Sequence, residues 1–218
     1  ISLKNNHRNF YVEVLDSRNK VLILSESPNP DIAAIQSVLS KDENIETEYK
    51  TFQTWNKKTE KINLLICHSP KGQFDSDLLN LFKQNNIPVL FILGSTSKKS
   101  FYKNLGIQFK SNSPEGYDEF QGAINPVFST FEVDESFTES MAYYPPLYGR
   151  YGDVNIPTGS SVFMHQRIGS VVKKNPMFFF STYKGLNYGA IMGEGIWRWK
   201  FNEYQRKKNH ETFNDIFS

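Results

Sequence analysis

The first half of the sequence alternates short apolar runs with amphipathic segments, and this order restricts the possible folds more than any other feature. Apolar or alternating runs typical of β-strands lie at residues 21–24, 45–51, 62–67 and 89–93. Helix-like spacing of apolar residues begins near Asn29, Asp75 and Ser97, in each case after one of these runs. Alternating strands and helices form right-handed βαβ units, which place the strands parallel in one sheet. The pattern therefore predicts an α/β fold with helices on both faces of a mainly parallel sheet.

The second half predicts a different kind of strand pairing. The runs "SSVFMHQRI", "PMFFFSTYKG" and "LNYGAIMGEG" are expected to form three adjacent antiparallel strands, with a turn at residues 183–185. We also expect strand pieces near "AINPVFSTFEV" and a short helix near "ESFTESMAYY". In a last helix from Ile196, Trp197, Phe201 and Tyr204 share a face, and Trp197 is expected to pack on the sheet. The predicted architecture is a three-layer α/β/α fold whose parallel sheet is extended by these antiparallel strands.

The segment before the first strand–helix unit has an alternating pattern of its own. Phe10, Val12 and Val14 lie on one side of an expected strand, which ends in a turn cluster at residues 16–19. We therefore divide the chain into residues 1–17, the tail strand of a preceding domain, and residues 18–218, the α/β domain. Residues 1–17 are expected to pack poorly on the α/β core or to pair with a strand in trans. The sequence opens at Ile1 rather than Met, so we expect a piece of a longer protein.

Composition and charge argue against several classes of protein. The 25 basic and 23 acidic residues leave a formal charge of +2, which is too small to indicate binding to nucleic acid. No apolar run in the sequence approaches the roughly 20 residues of a transmembrane helix, so this segment is not expected to insert into a membrane. Cys67 is the only cysteine, which excludes an internal disulfide and a multi-cysteine zinc site. The four histidines are scattered, and we expect neither a metal nor another cofactor.

Three stretches of the sequence together resemble one protein family. They are "KVLILSESPNPDIAAIQSVL", "IPVLFILGSTS" and "GEGIWRWKFNEYQRKKNHETFNDIF". In this order they resemble the class I glutamine amidotransferase-like (flavodoxin-like) domains of envelope proteins from Bacteroidetes-type bacteria. In those proteins the domain follows membrane-spanning helices and a β-sandwich, whose last strand the segment "NNHRNFYVEVLD" resembles. The resemblance implies the periplasmic part of a membrane-anchored protein, with other domains of the same polypeptide or other envelope proteins as partners.

The position of the family's nucleophile can be located in this sequence. An amidotransferase places its cysteine on a sharp strand-to-helix turn, flanked by small residues that keep the sulfur clear of the backbone. On the matching strand, "IPVLFIL", Leu93 stands at the cysteine position and Phe91 at the position of a glycine. Because a leucine side chain cannot attack a carbonyl, the resemblance implies a domain that does not hydrolyse glutamine.

Cys67 and His68 are the remaining candidates for a catalytic pair. They end a predicted parallel strand, and the carboxyl ends of such strands line ligand clefts. However, neighbouring residues of an extended strand point to opposite faces, so the two side chains are poorly placed to interact. A buried cysteine that acts as a small apolar residue is the commoner case, and we favour it here.

Other strand ends supply candidate ligand-binding residues. Ser25, Ser27 and Asp31 lie between a strand and a helix N-terminus, where backbone N–H groups can bind an anion. The alternative is a capped helix start in which Asp31 itself occupies the positive end of the helix dipole. The remaining candidates at the same predicted edge are Gly94, Ser95, Lys98, Glu194 and Trp197. Since this set mixes charges, we predict a shallow polar groove with aromatic walls instead of a deep pocket.

Two main functional hypotheses follow from the sequence, and a third interpretation is a purely structural spacer between membrane-proximal and distal domains. The first is a non-catalytic binding or interaction module of a larger envelope protein, motivated by an intact α/β pattern without the nucleophile. The alternative is a hydrolase or transferase that uses Cys67 or a strand-end serine, Ser25 or Ser95. An enzyme needs a base within hydrogen-bonding reach of its nucleophile, so the surroundings of these three residues discriminate between the hypotheses.

Overall fold

The computed structural model describes residues 18–69, 76–94, 97–110, 116–150 and 152–218. The strands are β1 (Asn19–Ser25), β2 (Ile45–Thr51), β3 (Ile62–His68), β4 (Val89–Ile92), β5 (Gln108–Phe109), β6 (Tyr117–Ile124), β7 (Leu147–Arg150), β8 (Val154–Asn155), β9 (Ser161–Ile168), β10 (Val171–Tyr183), β11 (Leu186–Ile191) and β12 (Gly193–Glu194). The helices are α1 (Pro30–Leu39), α2 (Ser76–Gln84), α3 (Lys99–Asn104), α4 (Glu135–Met141), α5 (Trp197–Lys207) and α6 (Glu211–Phe217). The predicted tail strand at residues 1–17 lies outside the described residues, so the domain boundary stays a prediction.

One ten-stranded sheet organises the chain, in the order β12-β7-β6-β9-β10-β11-β4-β3-β1-β2. The five strands from β11 to β2 are parallel to one another. The other five, from β10 to β12, pair antiparallel. Only Met192 separates β11 from β12, yet β12 pairs with β7 at the far end of the order. The antiparallel half therefore curls back toward the parallel half, and the predicted fold class is confirmed.

Helices cover both faces of the sheet, as adjacent residues of β4 demonstrate. The ring of Phe91 meets that of Phe101 on α3 at a centroid distance of 5.2 Å. Leu90 points to the opposite face, where it lines an apolar groove together with Ile35 of α1. Residues of α4 and α6 line the same groove, whereas α2 packs near Tyr188 on the Phe91 face. The structure thus has the three layers predicted from the sequence.

The strand predictions are confirmed except for one segment. The four predicted parallel strands correspond to β1, β2, β3 and β4, and the three predicted antiparallel strands correspond to β9, the second part of β10, and β11. The short helix expected near "ESFTESMAYY" is α4, which Asp134 caps by accepting from the backbone N–H of Ser136. The prediction of strand pieces near "AINPVFSTFEV" was mostly wrong. Only Ala123 and Ile124 of this segment lie in a strand, at the end of β6, and a turn at Pro126, which has no backbone N–H to donate, follows. Among the described residues, no helix is long and apolar enough to span a bilayer.

The orientation of α5 contradicts the expectation for Trp197. Trp199 is the buried tryptophan: it is 1% exposed, stacks on Tyr144 with a centroid distance of 5.3 Å, and donates from Nε1 to the Pro145 carbonyl oxygen. Trp197 is 41% exposed. The prediction was wrong because the buried face of α5 includes a carboxylate, that of Glu203, which a hydrophobic pattern assigns to solvent.

Candidate functional site at the carboxyl edge of the parallel strands

The predicted strand-end segments meet at one edge of the sheet. Ser69, directly after β3, donates from its backbone N–H to the carbonyl oxygen of Ile92 at the end of β4, at 2.8 Å. Its hydroxyl lies 3.4 Å from the Glu194 carboxylate, which comes from β12. Asp31 of α1 contacts both β3 and the chain after β12. The edge therefore joins residues far apart in sequence. Ser95, another predicted site residue, lies outside the described residues.

Asp31 is the most highly connected of the predicted site residues. Its Oδ2 accepts from the backbone N–H of Gly195 at 2.8 Å, and its Oδ1 accepts from that of Trp197 at 2.9 Å. The Nε2 of His68 lies 3.3 Å from Oδ2, and Asp31 and His68 are only 1% and 3% exposed. Three donors from two distant segments thus converge on one buried carboxylate.

The chemistry of the Asp31 site follows from its partners. Burial on its own raises the pKa of this carboxyl, but the hydrogen bonds from His68, Gly195 and Trp197 outweigh it, and the pKa is lowered from its usual value. Asp31 is therefore a carboxylate in the folded protein. Since its oxygens are occupied by protein donors, the geometry gives Asp31 a structural role, and ligand binding by this residue stays a prediction.

The local sequence explains how Asp31 reaches these donors. Asn29 caps α1 by accepting from the backbone N–H of Asp31 at 2.8 Å, and Pro30 occupies the first turn. Gly195 has φ of 105°, a backbone conformation that L side chains rarely adopt, and it turns the chain from β12 into α5. The cap and the glycine together place the carboxylate and the two N–H groups against each other.

The thiol of Cys67 is poorly suited to act as a nucleophile. The residue is fully buried in β3, and burial raises the pKa of the thiol well above its usual value, with the Glu26 carboxylate adding to the effect. His68, the other member of the candidate catalytic pair, contacts Asp31 of α1 instead. The two candidate catalytic residues therefore belong to different local environments, as the alternation of a strand requires.

Ser25 and Ser27 belong to the turn between β1 and α1. Ser25 is 1% exposed, and its hydroxyl donates to the Ser27 carbonyl oxygen at 2.7 Å. The Tyr49 hydroxyl lies 3.0 Å from the same atom. Neither the Ser27 carbonyl oxygen nor the Tyr49 hydroxyl is a base that can activate the Ser25 hydroxyl. The side chain of Ser27 itself is exposed.

Gly94 lies beneath the Glu194 carboxylate. A Cβ at Gly94 would lie 2.3 Å from Glu194 Oε2 and 2.6 Å from Ser69 Oγ, closer than real atoms approach. Leu93, at the position of the family's nucleophile, is fully buried. Lys98 precedes α3 and is exposed, with no side-chain hydrogen bond to the helix start.

Sequence reasoning missed Arg150 and Tyr102 at this edge. Arg150 donates from Nη2 to the Ser97 carbonyl oxygen at 3.0 Å, and its guanidinium carbon lies 5.9 Å from the centre of the Tyr102 ring. Burial raises the pKa of Tyr102 to about 12, partly opposed by Arg150. Arg150 belongs to the aromatic segment "YYPPLYGRYG", whose composition makes it conspicuous in the sequence. Nothing in that segment, however, indicates a contact with residues near position 97.

No group of three or more potential metal ligands occurs among the described residues.

Comparisons with known proteins place the fold but not the function. No family model matches the sequence, and no curated protein matches it. The β-galactosidase from Bacillus circulans sp. alkalophilus superposes with a TM-score of 0.51 at 9% identity, over 88% of this chain and 31% of that chain.

A putative GMP synthase subunit from Thermoplasma acidophilum superposes with a TM-score of 0.47 at 11% identity, over 92% of this chain and 94% of that one. Because this chain spans less than a third of the β-galactosidase, that likeness concerns the fold of one part of the larger protein. At its TM-score the second likeness carries no argument. The α/β/α fold class is confirmed, and the family of envelope proteins stays a prediction.

Proposed function

We propose that this chain is a non-catalytic binding or interaction module of a larger cell-envelope protein, built on an amidotransferase-like fold without the nucleophilic cysteine. The observation that carries the proposal is the environment of Leu93. This residue follows β4 at the turn where the family's cysteine belongs, and it is fully buried. A buried hydrocarbon at that position supplies neither a nucleophile nor access for a substrate.

The neighbouring residues support the same proposal. The Cys67 thiol is buried and its pKa is raised, which opposes formation of the reactive thiolate. The hydroxyl of Ser25 contacts a carbonyl oxygen and a tyrosine. The His68–Asp31 pair has the residue types of a base and its orienting partner, but Asp31 also accepts two backbone hydrogen bonds. Ser95 lies outside the described residues, so it is the candidate of the alternative hypothesis that most needs a direct test.

A turnover assay separates the two hypotheses. The protein is incubated with glutamine, and separately with the activated ester p-nitrophenyl acetate, while released ammonia or nitrophenol is measured. We expect no difference between the wild type and the Cys67→Ala, Ser25→Ala and Ser95→Ala variants. Turnover by the wild type that disappears in any one of these variants would show that the domain is an enzyme.

The cellular part of the proposal rests on the sequence resemblance and needs its own experiment. An epitope-tagged full-length gene product is followed through fractionation of the native cells. We expect it in the membrane fraction, with this domain accessible to protease after the outer membrane is permeabilised. Recovery in the soluble fraction of the cytoplasm would refute the assignment to the envelope.

A further inference from the structure

An aromatic face of α5 is left uncovered by the rest of the described chain. Trp197, Phe201 and Tyr204 are 41%, 55% and 50% exposed, and their spacing of four and three residues places them on one side of the helix. The opposite side is buried through Trp199 and Glu203, each 1% exposed. Large aromatic side chains grouped in this way on a surface are typical of a site of interaction.

This aromatic face forms one wall of an open groove of about 400 Å³. Helix α1 supplies the floor through small side chains, Pro30, Ala33 and Ala34. A floor of small residues beside aromatic walls makes the surface concave, so it fits side chains that project from a partner better than it fits a flat bilayer. We refer to this surface as the α1–α5 groove.

The aromatic wall of the α1–α5 groove has the length of about two helical turns. Trp197 and Tyr204 are seven residues apart, which corresponds to roughly 10 Å along the helix axis at about 1.5 Å per residue. A partner helix that lies along the groove presents its own residues i, i+3 or i+4, and i+7 over the same length. Recognition of an amphipathic helix by a groove between two helices needs this arrangement of anchors.

The lining of the α1–α5 groove carries a positive charge. This charge belongs to Lys200, since the pKa of His210 is lowered and none of the described residues that line the groove is acidic. Lys208 lies with Nζ 5.8 Å from the centre of the Tyr204 ring, and Lys41 reaches the adjacent α6 by donating to Asn214. The nearest carboxylate of α5, that of Glu203, is buried against the backbone N–H groups of α6.

The pKa values of Lys200 and His210 are lowered chiefly by burial, and neighbouring cations contribute a smaller part. Burial lowers the pKa of Lys200, and the charge of Lys41 lowers it further. Burial likewise lowers the pKa of His210, and the charge of Lys200 adds to the effect. A carboxylate brought to the rim of the groove would be stabilised by the same charges that disfavour additional cations.

We propose that the α1–α5 groove docks an amphipathic helix of a partner protein, with apolar anchors at i, i+3 or i+4 and i+7 and acidic residues at the flanks. The inference rests on the proposed function, because it names the kind of partner that an interaction module of this structure binds. Apolar anchors enter between the aromatic wall and the small residues of α1, and flanking carboxylates approach Lys200 and Lys208.

A designed peptide probes the proposal directly. A fluorescein-labelled helical peptide carries Leu at i, i+4 and i+7 and Glu at both flanks, and a matched peptide carries Lys in place of every Glu. Binding to the protein is measured by fluorescence anisotropy. We expect the Glu-flanked peptide to bind, its affinity to fall with added salt, and the Lys-flanked peptide to bind at least about ten-fold more weakly.

Two variants and one control locate the binding. Phe201→Ala removes the central aromatic, and Ala33→Glu fills the floor with a repulsive charge; each is expected to weaken binding of the Glu-flanked peptide by about ten-fold or more. Tyr117→Ala removes an aromatic of similar exposure, 45%, on β6 and is expected to leave the affinity unchanged. Circular dichroism of each variant verifies that the fold is intact.

Three outcomes would overturn the proposal: no binding of the Glu-flanked peptide, equal binding of both peptides, or binding insensitive to Phe201→Ala and Ala33→Glu. Sedimentation with anionic phosphatidylglycerol vesicles that is lost in Phe201→Ala, without peptide binding, would assign the surface to membranes instead. A failure of the docking proposal leaves the non-catalytic module standing. Enzymatic turnover, by contrast, would refute the module without affecting the peptide measurements.

Discussion

Replacing Asp31 by asparagine tests whether the buried carboxylate holds the carboxyl edge together. The introduced amide would retain one oxygen for an N–H donor, while its NH2 group would face a second donor. At least two of the three hydrogen bonds, from Gly195, Trp197 and His68, would then be lost or weakened. Hydrogen bonds to a charged group contribute about 1.5–3 kcal/mol each, so we expect the free energy of unfolding to fall by about 3–5 kcal/mol.

This loss is large enough to measure without ambiguity. For a chain of this size, 1 kcal/mol corresponds to a change in Tm of about 2–4 °C, so the expected decrease in Tm is roughly 6–20 °C. Urea denaturation followed by circular dichroism gives the free energy, and Asp153→Asn, an exposed residue, serves as the matched control with an expected change within about 0.5 kcal/mol. A change for Asp31→Asn as small as the one expected for Asp153→Asn would mean that the Asp31 hydrogen bonds do not contribute to stability.

The pH dependence of the same variant gives a second, independent result. The pKa of Asp31 is lowered in the folded protein, so its contribution is fully present above the unfolded value of about 3.9 and is lost as the pH falls through the folded value. The wild type is therefore expected to lose its advantage over Asp31→Asn as the pH decreases below about 4. A stability difference that stays constant down to acid unfolding would contradict the lowered pKa.

Three further predictions concern the interior of the domain. Gly94→Ala is expected to lower the free energy of unfolding by about 1 kcal/mol, because the side-chain ends of Glu194 and Ser69 must move aside, and the double variant with Glu194→Ala is expected to restore part of it, as a double-mutant cycle in urea would reveal. The Cys67 thiol is expected to react with Ellman's reagent only after unfolding, so prompt reaction of the native protein would contradict its burial. Glu203→Gln is expected to cost about 2–4 kcal/mol and to reduce hydrogen-exchange protection of α6, because the carboxylate accepts two backbone N–H groups there.

The sequence predicts the parallel half of the fold well because its signal is local. Each strand from β1 to β4 is a short apolar or alternating run, and each helix has its own apolar spacing, so both can be recognised without knowledge of the rest of the chain. The pairing of β12 with β7 was not predictable in this way. The two strands pair over only two residues each, with Gly193 opposite Gly149. A pairing of two residues is too short to show a periodicity in the sequence.

The grouping of residues at the carboxyl edge was predictable, but their contacts were not. The rule that carboxyl ends of parallel strands meet at one edge places Asp31, His68, Gly94 and Glu194 together, as they lie in the structure, and their role in binding a ligand stays a prediction. It did not indicate that His68 contacts Asp31, since that contact depends on how α1 crosses over β3. The exposure of Trp197 was not predicted, for a related reason. The buried face of α5 includes Glu203, whose hydrogen-bond partners lie on α6 and cannot be identified from α5 alone.

The Asp31 hydrogen bonds link the carboxyl edge to the exposed face of α5. By accepting from the N–H groups of Gly195 and Trp197, the carboxylate fixes the first turn of α5 next to α1. With the start of the helix fixed, Trp199 and Glu203 turn inward, and Trp197, Phe201 and Tyr204 remain outside. In an open α/β sheet the carboxyl edge is where ligands usually bind; here one aspartate fills part of that edge with protein contacts. The same contacts orient the aromatic wall of the α1–α5 groove, so a change that releases Asp31 would disturb the edge and the docking surface together.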